Sequence, residues 1–188
     1  MALLPICLSA QQTTFDRFLQ KMDTTTFRAQ FTITIGDKAS APQAHAGRIA
    51  MRGKTFYISV FNAEAVYDGK ILTVYSVESK EMTLSEPTKQ ELLDSNPLLY
   101  AQALKKVCKA EEKAGANQTT VITLTPRDQS AGIQRFILTV QNNTLLPLAL
   151  EVKEGAQYTK INFRNPRFSA DKPRLNMQRK GATIIDLR

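Results

Sequence analysis

The sequence predicts an α+β fold that is mainly β, in which one strongly curved antiparallel sheet carries a few helices over its concave apolar face. Three observations lead to this prediction. About ten segments alternate apolar and polar residues with the period of two that β-strands show. Nearly all connections between them are as short as hairpin loops, which join antiparallel strands. A single sheet of about ten strands curls strongly, so the few helical segments are expected on its concave side.

The predicted structure begins with one helix and one strand. Residues 13–23 repeat apolar side chains at the spacing i, i+3, i+4, i+7, which predicts an amphipathic helix of about three turns capped by Thr13 or Thr14. The apolar residues of this helix are Phe15, Phe18, Leu19 and Met22. Residues 27–35 then alternate apolar and polar side chains without interruption, which predicts a strand.

Two hairpins and a short strand follow. Residues 46–61 are predicted to form two strands joined near Arg52–Lys54. Residues 64–78 form a second hairpin with its turn at Asp68–Gly69, because Gly adopts positive φ easily and Asp tolerates it. A further short strand covers residues 80–86.

The second arm of that hairpin, Ile71–Val77, is largely apolar on both faces. Successive side chains of a strand point to opposite faces, and an antiparallel sheet usually leaves one of them polar. We therefore expect helices to cover part of the second face and another element to cover the remainder.

The middle of the chain, residues 87–117, is rich in helix formers. A short helix is expected to end at Leu92–Leu93, before the sequence Ser95–Pro97, because proline breaks or begins a helix. A second helix is expected to follow and to end at Gly115. Its apolar surface consists of Leu98, Leu99, Ala101, Ala103, Leu104, Val107 and Cys108.

Alternating segments then resume and predict a second set of strands. Their ranges are 119–126, 132–140, 145–155 and 156–163. Asn142–Asn143 forms one of the turns between them. Residues 164–188 are rich in loop formers and end in a short apolar strand pattern at Ile184–Leu187.

The positive charge of the chain is concentrated at its C-terminal end. The formal net charge is +8, and residues 160–188 hold eight Lys or Arg against two acidic residues. Such a surface attracts phosphate groups, anionic lipids or acidic partners. The alternative is a basic surface that contacts only water.

The first ten residues differ from the rest, since they are apolar, uncharged and end in small residues. We interpret residues 1–10 as the remnant of a secretory signal peptide and residues 11–188 as one domain that is exported in soluble form. The alternative is a buried apolar segment. The residues before Cys7 lack the small residue that a lipid-anchor motif requires. Cleavage after Ala10 leaves Cys108 alone, without a partner for an internal disulfide.

Residues for catalysis and for metal binding are scarce. The chain has a single histidine, His45, and no nucleophile elbow, phosphate-binding loop or glycine-rich dinucleotide turn. We therefore expect no enzymatic activity, no cofactor and no metal site. Nucleic acid is not an expected partner, because the most basic segment holds only Phe163 and Phe168 for stacking on bases.

Several short motifs, taken in their order along the chain, resemble the LolA-like family of periplasmic outer-membrane lipoprotein carriers. The motifs are Phe27-x-Ala29-x-Phe31, Arg52-Gly53-Lys54-x-Phe56, Tyr67–Ser76, Ser95–Leu99, Ile122–Pro126, Leu145–Pro147 and Ile185–Arg188. The likeness covers residues 12–188, and the ending Ile185–Arg188 resembles the Bacteroidetes branch. It implies an incomplete antiparallel barrel closed by a helical lid, with an apolar space that takes the acyl chains of lipoproteins.

The resemblance also implies which residues line that space. On the sheet we expect Phe31, Ile33, Met51, Phe56, Ile58, Leu72 and Val74. On the lid we expect Leu92, Leu98, Leu99 and Leu104. Arg52 matches the family's arginine that bonds to the lid in the closed state, although Gly53 stands where the family often has proline. For each apolar residue the alternative is ordinary core packing.

The sequence thus predicts a periplasmic carrier that shelters the acyl chains of lipoproteins, or of a similar lipid, and moves them toward the outer membrane. The expected partners are the acylated cargo, an inner-membrane extraction complex and an outer-membrane acceptor, and the carrier is expected to be a monomer. A carrier predicts an apolar pocket of several hundred Å³ or more. Two alternatives stay open, namely an accessory carrier or sensor of another lipid, and an adaptor domain whose interior is filled by its own side chains.

Overall fold

The alternating segments of the sequence form a single sheet of twelve strands in the computed structural model, which describes residues 12–37, 41–128 and 133–188. The predicted signal-peptide remnant at residues 1–10, with Cys7, lies outside the described residues. The helices are α1 (Thr14–Thr24), α2 (Lys89–Ser95) and α3 (Leu99–Leu104). The strands are β1 (Thr26–Gly36), β2 (Gln43–Arg52), β3 (Thr55–Val60), β4 (Ala63–Tyr67), β5 (Leu72–Ser76), β6 (Glu81–Ser85), β7 (Cys108–Ala114), β8 (Thr119–Pro126), β9 (Ile133–Gln141), β10 (Pro147–Glu154), β11 (Gln157–Ser169) and β12 (Thr183–Asp186).

The strands follow the spatial order β12-β6-β5-β4-β3-β2-β1-β11-β10-β9-β8-β7. All neighbours pair antiparallel except β12, which runs parallel to β6. The sheet is long, curved and open, with β7 and β12 as its two edges. The predicted fold class, an incomplete antiparallel barrel with helices on its concave face, is confirmed.

Helix α1 forms as its periodicity predicts. The Thr13 Oγ accepts a hydrogen bond from the Asp16 amide at 3.1 Å, which caps the first turn. Burial of the predicted apolar face removes four large side chains from water, each worth about 1.5–3 kcal/mol. These side chains are Phe15, Phe18, Leu19 and Met22. At the other end of the helix, the Gly53 amide of the β2–β3 turn donates to the Met22 carbonyl at 2.8 Å.

One hydrophobic cluster fills the concave side of the sheet between the strands and the three helices. Its centre includes side chains that have no exposed surface, such as Phe27, Phe56 and Phe136. Phe27 also contacts Phe163 edge-to-face, with ring centroids 5.4 Å apart. This packing connects β3, β1 and β11 with the more distant β9 in one core.

The predicted helix from Leu98 to Gly115 is wrong in its second half. Helix α3 ends at Leu104, Val107 is 54% exposed, and residues 108–114 form the edge strand β7 instead. Helix propensities differ by only a few tenths of a kcal/mol per residue, whereas pairing with β8 satisfies a whole row of backbone groups. Cys108 is a buried packing residue as predicted, though on a strand, and burial raises the pKa of its thiol.

The C-terminal strap, which we define as residues 170–182, crosses the outer face of the sheet from the end of β11 to β12. The Arg28 Nη2 donates to the Lys172 carbonyl at 3.2 Å near its start. Near its end, the Arg179 guanidinium forms an ion pair with Glu64 and lies 5.6 Å from the centroid of the Tyr75 ring.

The strap answers the question raised by the doubly apolar hairpin. Val66 and Met82 are 3% and 7% exposed, yet neither belongs to the hydrophobic cluster on the concave side. In the register of the sheet both lie on the outer face, with Glu64 and Tyr75. The element that covers the remainder of the second face is therefore the basic C-terminal segment, and part of its charge is used to hold it there.

Candidate functional site

The candidate site is an apolar cleft between the sheet and the α2–α3 connection. Its walls are Phe31, Ile33, Ile49, Ile58, Val60, Phe61, Ile161 and Phe163 from the sheet side, with residues 94–98 as the roof. The volume of the cleft is about 60 Å³, room for about two water molecules. The expected pocket of several hundred Å³ is therefore wrong for this conformation, because the core side chains fill the space between sheet and lid.

The cleft opens at one end of the sheet, where β1 and β3 end and where β2 and β11 begin. One cavity there, of about 180 Å³, shares Asp94 and Pro97 with the cleft. A second cavity, of about 370 Å³, shares Phe61 with the cleft and Gln157 with the first cavity. We call the place where these spaces meet the mouth.

The rim of the mouth exposes large apolar side chains. Ile35, Phe61 and Tyr158 are 39%, 47% and 38% exposed, and all three border these cavities. The His45 ring packs against the Phe61 ring with centroids 4.6 Å apart. An exposed apolar rim that leads to an apolar cleft suits the entry of an acyl chain, because such side chains mark ligand grooves and contact sites.

The lid consists of α2 and α3, two helices of 7 and 6 residues. Thr88 and Glu91 form a capping box at the start of α2. Glu91 accepts from the Thr88 amide at 2.6 Å, and these hydrogen bonds lower the pKa of its carboxyl. Helices this short are not stable in isolation, so their packing on the sheet must hold them.

Asn96 connects the two lid helices and anchors them to the sheet. Its side chain has no exposed surface. The Oδ1 atom accepts from the Leu98 amide at 3.1 Å, and the Nδ2 atom donates to the Met51 sulfur at 3.6 Å. Sequence reasoning noted the Ser-Asn-Pro break but not the buried amide. The available signal was a polar residue between two apolar helical segments.

Polar contacts also tie the lid to α1. The Gln102 Nε2 donates to the Asp23 Oδ1 at 2.7 Å, and the Lys105 ammonium pairs with Asp16 at 2.5 Å. The Lys105 ammonium, together with Thr13, holds the pKa of the Asp16 carboxyl below its usual value. Because these side chains are partly exposed, each contact contributes little to stability.

Arg52 lies at the end of β2, opposite Thr55, whose hydroxyl donates to the Arg52 carbonyl at 2.9 Å. The neighbouring Met51 packs into the core, so strand alternation directs Arg52 to the outer face. Among the described residues, none of the hydrogen bonds and ion pairs joins its guanidinium to the lid. A lid-locking role for Arg52 stays a prediction.

The predicted lining residues fall into three groups in the structure. Those that border the cleft are Phe31, Ile33, Ile58 and Leu98. Those buried elsewhere in the same hydrophobic cluster are Met51, Phe56, Leu72, Leu99 and Leu104. Val74 and Leu92 are half-buried and pack against it. Sequence reasoning missed the cleft residues Ile49, Val60, Phe61, Ile161 and Phe163, several of which belong to strands it had identified.

None of the helices within the described ranges has the length and apolar character that crossing a membrane requires. A comparison with curated proteins found no match.

The fold is similar to that of several solved structures. An uncharacterized conserved protein from Thermus thermophilus aligns with a TM-score of 0.59 at 12% identity, covering 92% of this chain and 96% of that one. A LolA superfamily protein from Nitrosomonas europaea aligns with a TM-score of 0.41 at 11% identity, covering 86% and 96%. The MucA/MucB complex of Pseudomonas aeruginosa gives a TM-score of 0.44 at 16% identity, covering 88% of this chain and 60% of that one.

The family-level comparison covers most of the chain. The model of the family described as "Outer membrane lipoprotein carrier protein LolA" matches residues 22–174. These residues run from the end of α1, through the sheet and the lid, to the start of the strap. The chain belongs to the LolA family of outer membrane lipoprotein carrier proteins.

Proposed function

We propose that the protein is a periplasmic carrier that takes the acyl chains of lipoproteins, or of a similar lipid, through the mouth into the space between sheet and lid. The observation that carries the proposal is the continuity of the exposed apolar rim with the apolar cleft under two short helices. Membership of the LolA family supports it. No enzymatic step is part of the proposal.

The size of the cleft determines how such a carrier would work. Burial of an acyl chain contributes about 0.8 kcal/mol per CH₂, on the order of 12 kcal/mol for roughly sixteen carbons as an upper bound. A cleft of about 60 Å³ cannot hold such a chain, so the lid helices have to move first. The free energy of lid displacement then lowers the net affinity, which allows the cargo to be released again.

Loading and delivery follow from the same proposal. Export to the periplasm would place the protein between the two membranes of the cell. An inner-membrane complex would deliver the cargo, an outer-membrane acceptor would receive it, and the carrier would act as a monomer.

A second candidate is an adaptor domain with a permanently closed interior, which the small volume of the cleft favours. The two candidates differ in whether an acylated ligand can enter. The adaptor would keep its lid closed in the presence of such a ligand, whereas the carrier would bind it with a defined stoichiometry.

Native mass spectrometry of the protein purified from a membrane-containing lysate tests this difference, followed by titration with a synthetic acylated peptide. The carrier predicts bound acylated species that a Val60→Glu variant loses, because Val60 borders the cleft and is only half-buried. Val77→Glu is the matched control, since Val77 is 49% exposed and does not line the cleft. An apo mass throughout, with no gain from the acylated peptide, would establish the adaptor.

A further inference from the structure

Four arginines lie together on the outer face of strands β2, β1 and β11, away from the lipid cleft. We call Arg28, Arg48, Arg164 and Arg167 the arginine patch. Arg28 lies directly opposite Arg167, and Gln30 lies between Arg48 on one side and Arg164 on the other. Side chains directly opposite each other in an antiparallel pair have Cβ atoms about 5 Å apart. The four guanidinium groups therefore share one small area of the sheet.

The charge of the patch is not neutralised within the described residues. None of the ion pairs found there includes an arginine of the patch. Arg28 instead donates to the Ser169 hydroxyl at 3.4 Å and to the Lys172 carbonyl, both neutral acceptors at the start of the strap. Like charges directly opposite each other on a sheet destabilise it. The arrangement of Arg28 and Arg167 thus has a cost that an anionic ligand would offset.

Two adjoining grooves give this charge a shape that a small ligand can occupy. One groove, of about 280 Å³, is bordered by Arg28, Arg48, Tyr57, Asn165 and Arg167. The other, of about 360 Å³, is bordered by Arg48, Ser59 and Arg164, and both grooves include Gln30.

A β-bulge shapes the first groove. The register of β1 and β11 shifts between Arg28 and Gln30, and Asn165 adopts a φ of 49° there. A bulge bends its strand and changes the direction of nearby side chains, and bulges are frequent next to binding sites. It separates Arg164 from Arg167 so that one arginine borders each groove.

We propose that the arginine patch binds a phosphate group. The polar side chains that border the grooves are guanidinium groups, amides and hydroxyls, all of which can donate hydrogen bonds, and neither groove is lined by a carboxylate. Guanidinium groups bind phosphate oxygens in a bidentate manner and stay charged at every physiological pH. The phosphate belongs either to a lipid headgroup or to a free phosphate compound. Because the patch lies on the face opposite the cleft, its ligand does not compete with a lipid cargo, and the inference does not depend on the proposed function.

The test compares wild type with a variant that carries Arg48→Gln, Arg164→Gln and Arg167→Gln, and that keeps Arg28 because it holds the strap. A control variant carries Lys106→Gln, Lys113→Gln and Lys153→Gln, three exposed residues outside the patch, and loses the same net charge. One arm measures sedimentation with phosphatidylcholine vesicles, with and without phosphatidylglycerol. The other arm titrates inorganic phosphate and glycerol 3-phosphate and follows the arginine side-chain resonances by NMR.

Selective binding to the anionic vesicles, weakened on the order of 100-fold in the patch variant and much less in the control, supports the proposal with a lipid headgroup as the source. Binding of the soluble phosphates without vesicle binding, weakened about tenfold in the patch variant, supports it with a free phosphate compound as the source. Equal losses in the two variants would show a general charge effect and overturn the proposal. Absence of binding by the wild type in both arms would overturn it as well.

Circular dichroism and thermal unfolding show whether the patch variant keeps its fold. If it does not, the single substitution Arg48→Gln replaces it, because Arg48 is exposed and borders both grooves. The expected loss is then about fivefold on vesicles. An unchanged affinity in this variant would contradict the proposal.

Discussion

The ring of Phe31 lies across the backbone of Gly47 on the neighbouring strand, so close that a Cβ at position 47 would stand 2.3 Å from the Phe31 Cζ. The two residues are directly opposite each other in the register of β1 and β2. The same Cβ would approach the Ser59 carbonyl oxygen to 2.7 Å, and this atom belongs to the backbone of β3. The missing side chain at Gly47 thus makes the space in which a wall of the cleft is formed.

Replacement of Gly47 by alanine is expected to lower the free energy of unfolding by about 1–3 kcal/mol, because the added methyl group overfills this space. Urea denaturation followed by circular dichroism measures the effect. The double variant with Phe31→Leu is expected to lose less than the sum of the two single variants, since the smaller side chain makes room. Additive losses would show that Phe31 is not the residue that requires glycine.

Glu112 on β7 accepts hydrogen bonds from the backbone amides of Thr14 at 3.1 Å and Phe15 at 2.7 Å. A carboxylate at the start of a helix satisfies amides that have no partner in the helix and interacts favourably with its dipole. Glu112→Gln is expected to cost about 0.5–2 kcal/mol of stability. The control is Glu111→Gln, because Glu111 pairs with Lys109 on the surface and makes no contact with α1. Equal effects of the two substitutions in urea denaturation would contradict the cap.

The same strand shows where sequence reasoning reaches its limit. The helix α1 and the strand β1 could be predicted because their periodicities are complete within a dozen residues. In residues 108–114 only Cys108 is buried, so the segment has no apolar face to identify it as a strand. Its state depends on pairing with β8, and local sequence does not encode such a partner.

The candidate site was predictable to a similar degree. Phe31, Ile33 and Ile58 could be assigned to one apolar face by alternation along their strands. Phe163 could not be placed beside Phe31, because that contact depends on the pairing of β1 with β11 across more than a hundred residues. The path of the strap was equally hidden, although its inward side chains Pro173, Leu175 and Met177 alternate with exposed ones.

The ion pair between Asp16 and Lys105 predicts a small pH dependence of stability. The pKa of Asp16 is lowered from an ordinary value of 3.8, mainly by its hydrogen bond with Lys105. A carboxyl group with a lowered folded-state pKa adds stability above its unfolded pKa and loses it as the pH falls through the folded value. At neutral pH, Lys105→Met should cost less than about 1 kcal/mol, because both side chains are partly exposed. Urea midpoints should show this difference disappear toward about pH 2. A difference that persists there would assign the effect to packing of the lysine chain.

Asn96 offers the most direct test of lid movement. Asn96→Ala removes the acceptor of the buried Leu98 amide and the contact with the Met51 sulfur. An unsatisfied buried amide costs about 1–3 kcal/mol, so the variant should be less stable in urea by that amount. The same loss should favour the open lid, because the two bonds are made only while the lid lies on the sheet. Uptake of a fluorescent fatty acid should therefore become faster, by about tenfold for each 1.4 kcal/mol that the open state gains.

The control for this experiment is Asn143→Ala, since Asn143 lies in an exposed turn and its side chain bonds only to Gln118. It should change neither stability nor uptake by a large factor. A loss of stability in Asn96→Ala without faster uptake would show that the fatty acid does not enter beneath the lid. Faster uptake in proportion to the lost stability would instead identify the α2–α3 connection as the element that controls access, because Asn96 holds both helices to the sheet through one buried side chain.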